Sequence, residues 1–188
     1  MSPSLKRALP LLVLLAGACD DGLQPNTWNA TPDTLVLYSA SRPEYVNLGS
    51  GLDITSEPVS MVPLEAPGVT GNWDFALLDV NGGLALVPAI TIAPVTGSRA
   101  RLLVVNGASL ESVDEAPSDS TRYTAQALTL QTGAVYVLRS RRASCGYTAG
   151  SKYAKLQPVD VDVARGVVRF AIVRNPYCDI RSLVPPEG

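Results

Sequence analysis

The chain of 188 residues is 46% hydrophobic and 17% charged, and it sets 15 basic against 17 acidic side chains with no histidine at all. That length suits one domain with a sizeable core and is scarcely enough for two. The slight acidic excess, with no run of like charges, argues against a nucleic-acid binder, and the missing histidine removes the commonest general base.

The first 22 residues, MSPSLKRALPLLVLLAGACDDG, place Lys6 and Arg7 before an apolar run over residues 8–16, then Ala16-Gly17-Ala18 and Cys19. The apolar run is far short of the roughly 20 residues that a bilayer-crossing helix needs, so residues 1–18 read as a secretory signal. Small residues leading into a cysteine resemble the bacterial lipobox, which implies that Cys19 becomes the lipidated first residue of the mature protein. Ala16 stands where that motif usually has an aliphatic residue. Removing residues 1–18 leaves 170 residues and takes the basic count to 13 against 17 acids, a net charge of −4. Acyl chains on Cys19 anchor the protein through buried methylenes worth about 0.8 kcal/mol each.

Residues 20–33, DDGLQPNTWNATPD, are polar, broken by Pro25 and Pro32, and read as a tether. From there to residue 188 the chain is written in short alternating or β-branched runs punctuated by turn residues, with no helical stripe, which predicts one all-β domain. Strands are expected over residues 34–40 and 45–48 around a turn at 41–44, and residues 49–71 read as a long surface connection. WDFALLD over 73–79 is the next strand, and Asn81-Gly82-Gly83 supplies the positive backbone angles of a tight hairpin returning through 84–87. Further strands are expected over 101–105, 128–130 and 134–139, with 111–119 as loop. In residues 153–163, Val159, Val161 and Val163 alternate with Asp160 and Asp162, which predicts one apolar and one wet face. A turn at 164–166 then leads to Val168, Phe170 and Ile172 on the return strand. Such a set of short strands predicts an antiparallel β-sandwich, with a partly open barrel as the alternative.

With Cys19 assigned to lipid, Cys145 and Cys178 remain, and in an exported chain they read as one disulfide. Closing that loop contributes on the order of 3 to 4 kcal/mol on the chain-entropy estimate. A thiolate metal site lacks both histidine and CxxC spacing.

Candidates for chemistry are few. Ser151-Lys152 sits in a polar turn with nothing built to activate it, and Asp160 and Asp162 are explained by their alternation with valine. The acidic residues Asp20-Asp21, Asp114-Glu115 and Asp119 lack the spacing of a calcium loop. Arg139, Arg141 and Arg142 can form a fork-like anion site, with Arg139 and Arg141 on one face if the strand continues that far, but structural pairing with neighbouring acids is the favoured use. Tyr136, Tyr147, Tyr153 and Trp73 can line an apolar groove or fill the core.

YVNLGSG over residues 45–51, NWDFALLDVNGGLAL from Asn72, GAVYVLRSRR over 133–142 and KYAKLQPVDVD from Lys152 together resemble the pattern of HmuY-like bacterial lipoproteins. The resemblance implies a lipid-anchored, non-enzymatic β-sandwich and, in the named members, haem binding for iron acquisition through histidine or methionine ligands. Here two-histidine ligation is impossible, and Met61 is the only methionine after the signal. Haem capture would therefore fall to Tyr147, Tyr153 or Met61.

The expectation is an envelope lipoprotein that reaches the membrane through its N-terminal lipid and binds a small ligand or an envelope protein, with no nucleic acid. Arg139, Arg141, Tyr147 and Tyr153 are its candidate ligand residues. Haem acquisition with altered ligands and a purely structural envelope role are the rival readings, and no other cofactor is expected.

Overall fold

A computed structural model describes residues 28–64, 71–92 and 98–186. The expected signal, Cys19 and most of the expected tether lie outside the described residues. Ten strands are present among the described residues: β1 (Asp33–Tyr38), β2 (Gly51–Asp53), β3 (Ser60–Val62), β4 (Phe75–Val80), β5 (Gly83–Pro88), β6 (Arg101–Val105), β7 (Leu128–Thr129), β8 (Val135–Cys145), β9 (Thr148–Asp162) and β10 (Val167–Arg174). They form two antiparallel five-stranded sheets, ordered β1-β10-β9-β8-β6 and β3-β2-β4-β5-β7, that do not close into a barrel. The fold is the β-sandwich that the alternation predicts.

Between the sheets, Leu37, Leu138, Leu156 and Phe170 of the first pack against Leu52, Phe75, Leu77 and Leu86 of the second, all fully buried. Each such side chain favours folding by about 1.5 to 3 kcal/mol. A second apolar cluster lies on the outer face of the first sheet, where Leu103, Val135, Val137, Tyr153 and Val173 are covered by Leu110, Val113 and Ala116 and by Leu183 near the C-terminus. The central strands β8 and β9 are thus buried on both faces, which is why AVYVL reads as a continuous apolar run.

The hairpin at Asn81-Gly82 forms as expected, with φ of +50° and +78° at those two residues. Other stretches differ from the sequence reading. Residues 45–48 are not a strand, because Pro43 opens a 3-10 turn over Pro43–Tyr45. The supposed surface connection contributes β2 and β3, with Leu52 and Ile54 fully buried. The last hairpin forms, but its register shifts between Arg169 and Phe170, which pair with Asp160 and Pro158. Val159 is the extra residue of this bulge. It is left 46% exposed, so the three valines do not share one buried face.

Cys145 at the end of β8 is bonded to Cys178 beyond β10, with Cα atoms 6.1 Å apart, within the usual disulfide range.

Candidate functional site

A second bulge decides the fate of the arginines on β8. Arg139 pairs with Tyr153 and Arg142 with Ser151, so Ser140 and Arg141 together oppose Lys152. The extra residue reverses the alternation, and Arg139 and Arg141 do not share a face. Arg141 turns toward the second sheet. Its Nη1 lies 3.0 Å from Asp53 Oδ1 and 3.2 Å from Asp74 Oδ2, while its backbone N–H donates to Asp74 Oδ1 at 2.7 Å. Ile54 N–H donates to the other oxygen of Asp74 at 2.9 Å. One fully buried carboxylate therefore accepts bonds from both sheets and fastens them together.

Burial pushes the Asp74 carboxyl up to about 6, against the pull of Arg141 and the two backbone donors. Burial acts on Asp53 in the same sense, but bonds from Arg141 and Thr55 outweigh it and hold that carboxyl below its ordinary value. Arg141 is thus committed to the fold and is not available to a ligand. Neither aspartate announces this role in the sequence, since the partnership depends on the bulge.

Arg139 and Arg142, on the opposite face, look into a polar basin of about 180 Å³ with Arg99. The wall across from them is built on the disulfide. Asp179, which follows Cys178, donates its N–H to Ser151 O at 2.7 Å and accepts the Ser151 N–H on Oδ1 at 3.0 Å. It adopts φ of +58° to do so. Gly150 lies under that wall, and a Cβ there would stand 2.4 Å from Asp179 Oδ2 and 2.9 Å from Cys178 Cβ. Only glycine lets the bridged segment lie so close to the strand. Arg142 donates to Ala149 O, whereas Arg139 Nε is buried with no hydrogen-bond partner among the described residues. Arg99 and Asp179 stand outside the strands and give no periodic signal, so the basin is legible in the sequence only through its β8 members.

A larger cleft of about 320 Å³ lies beside Trp28, where the expected tether meets the domain. Its cation, Arg174, is nearly buried. Nη2 lies 3.4 Å from Glu57 Oε1 and Nη1 has no partner among the described residues. Asp33 and Glu57 face that single guanidinium, so the cleft carries no cationic excess.

The remaining sequence candidates are dispersed. Tyr147 is fully exposed at the tip of the β8–β9 hairpin, Tyr153 is buried in the outer cluster, and Met61 is part-exposed on β3 of the other sheet. None of the three lines either cleft. Ser151 and Lys152 are neighbours on β9 but do not act as a pair. Ser151 binds Asp179 through its backbone, while the Lys152 amine donates to Thr55 O at 2.8 Å. Asp160 and Asp162 pair with Arg169 and Arg165 on the solvated side.

No family model, no curated protein and no solved structure matches the chain.

Proposed function

We propose that this chain is an exported lipoprotein, anchored through Cys19 to a bacterial cell envelope, whose sandwich works there as a non-catalytic binding module. The observation that carries this reading is the leader, in which Lys6 and Arg7, a short apolar run and Ala16-Gly17-Ala18 precede Cys19. The Cys145–Cys178 bond supports it, because structural disulfides persist in oxidising compartments and are rare in the cytosol. The HmuY-like sequence runs add the same expectation of an anchored sandwich. A binding role fits a domain without histidine whose Ser151 and Lys152 are engaged elsewhere and whose surface retains an arginine-lined basin.

Mass spectrometry of the native protein tests the anchor. The expected result is a chain beginning at Cys19 with acyl mass on that residue, abolished by Cys19→Ala. An unacylated polypeptide retaining Met1, recovered from the cytosol with its thiols free, overturns the reading.

A further inference from the structure

We infer that the basin formed by Arg99, Arg139 and Arg142 over the Cys145–Cys178 bridge binds the phosphoryl dianion of a small phosphomonoester. This deepens the binding-module reading above by naming the chemistry of its ligand.

Charge gives the first reason. A mature chain of net charge −4 collects three guanidiniums against one carboxylate in this basin, a local excess of two positive charges. None of the three arginines makes a salt bridge among the described residues, whereas Arg42, Arg141, Arg165 and Arg181 all do. The lone acid, Asp179, is held by the Ser151 backbone and forms no ion pair among the described residues. On the neighbouring strand, Arg101 stands directly opposite Arg139 in the β6–β8 register. Like charges in that position repel, which an anion seated beside them relieves.

Geometry gives the second. Arg139 Nε has no hydrogen-bond acceptor among the described residues, so the guanidinium that lines the basin is not tied into the fold through it. The basin is too polar and too small to attract an apolar ligand. Its floor is paired backbone at Gly150 and Ser151, and its wall is tied to the end of β8 by the disulfide. A phosphoryl group carries about −1.5 to −2 at pH 7 on three strong acceptor oxygens, which matches both the excess charge and the number of guanidiniums. A carboxylate supplies half that charge and two oxygens.

The test is calorimetric titration of the full-length processed protein in detergent with glycerol phosphate at low salt, with acetate as control. Saturable binding is expected, weakened about tenfold or more in Arg139→Gln and in the double variant Arg99→Gln/Arg142→Gln. The double variant alters two exposed side chains, so it stays folded if Arg139→Gln does not. Glycerol phosphate is also expected to raise the melting temperature of the parent protein and not that of the double variant. Absence of saturable heat, equal competition by acetate, or undiminished binding in the folded double variant overturns the site. Mass spectrometry of the same preparation separates the two claims: acylated protein that does not bind removes the site and leaves the envelope reading, whereas unacylated protein that binds does the reverse.

Discussion

The two ends of β9 both gather arginines, and they use them in opposite ways. At the far end, Arg42 lies over the β9–β10 turn with all three of its guanidinium nitrogens engaged. Nε and Nη2 donate to the two oxygens of Asp79 at 3.1 and 2.9 Å, and Nη1 and Nη2 donate to Ala164 O and Val163 O at 2.6 and 2.7 Å. Ser39 Oγ adds a bond to the same carboxylate at 2.7 Å. At the near end, about 40 Å away along the strand, Arg99, Arg139 and Arg142 share the basin with Asp179 but form no ion pair among the described residues. An arginine's role is thus set by what the fold places opposite it. Complete pairing makes a clasp, and incomplete pairing leaves donors for a ligand.

Arg141 allows the strongest manipulation of that contrast, since it lies one residue from the basin and is satisfied only by acids of the other sheet. Removing its partner in Asp74→Ala leaves a buried guanidinium short of charge and two backbone N–H groups without an acceptor. A stability loss of about 3 to 5 kcal/mol is expected, read as a fall in the urea midpoint. A loss within the range of ordinary surface substitutions would mean that the sheets are not held by this carboxylate.

The disulfide comes next. Reducing it, or substituting Cys145→Ser with Cys178→Ser, is expected to cost about 3 kcal/mol and to weaken glycerol phosphate binding by loosening the Asp179 wall. Stability lost with binding intact would show that the wall is not needed by the ligand.

These residues also mark how far the sequence could be read. The Asn81-Gly82 hairpin and the final hairpin are legible because local rules fix their turns, namely positive φ at Asn81, Gly82 and Gly166, although the bulge at Val159 breaks the alternation of the second. Strands β2 and β3 are not. Three residues each, GLD and SMV, are too short to show a period, and their burial is conferred by neighbours distant in the chain. The basin was half visible, since three arginines in four residues of β8 stood out. The bulge opposite Lys152 then assigned one of them inward and two outward. No pattern with a period of two anticipates an inserted residue, and Arg99 and Asp179 enter the basin only through tertiary packing.

A smaller effect separates the charge of Asp74 from its hydrogen bonds. Burial raises this carboxyl from 3.8 to about 6 in the fold. The part of its contribution to stability that comes from holding its proton is therefore fully present below about pH 4 and is lost as pH rises through about 6, while the bonds from Arg141 and the two backbone donors remain. Asp74→Asn does not titrate and keeps one carbonyl acceptor. The stability advantage of the parent over this variant should be larger near pH 4 than near pH 7, by on the order of 2 kcal/mol. Urea midpoints of both proteins at the two pH values give the answer, and an advantage independent of pH would show that Asp74 is ionised throughout.

The smallest effect belongs to the satisfied end. Gly166, with φ of +70°, sits so close to Arg42 that a Cβ there would lie 2.4 Å from Arg42 Nε. The guanidinium bridges Asp79 and the turn carbonyls of Val163 and Ala164. Arg42→Gln removes the two bonds to Asp79 and those to the turn carbonyls, but the site is solvated and water replaces most of them. The urea midpoint should fall slightly and the glycerol phosphate titration should not change. If Arg42→Gln weakened phosphate binding as much as Arg139→Gln does, general charge attraction would explain the binding as well as the basin does, and the contrast between paired and unpaired arginines would lose its functional meaning.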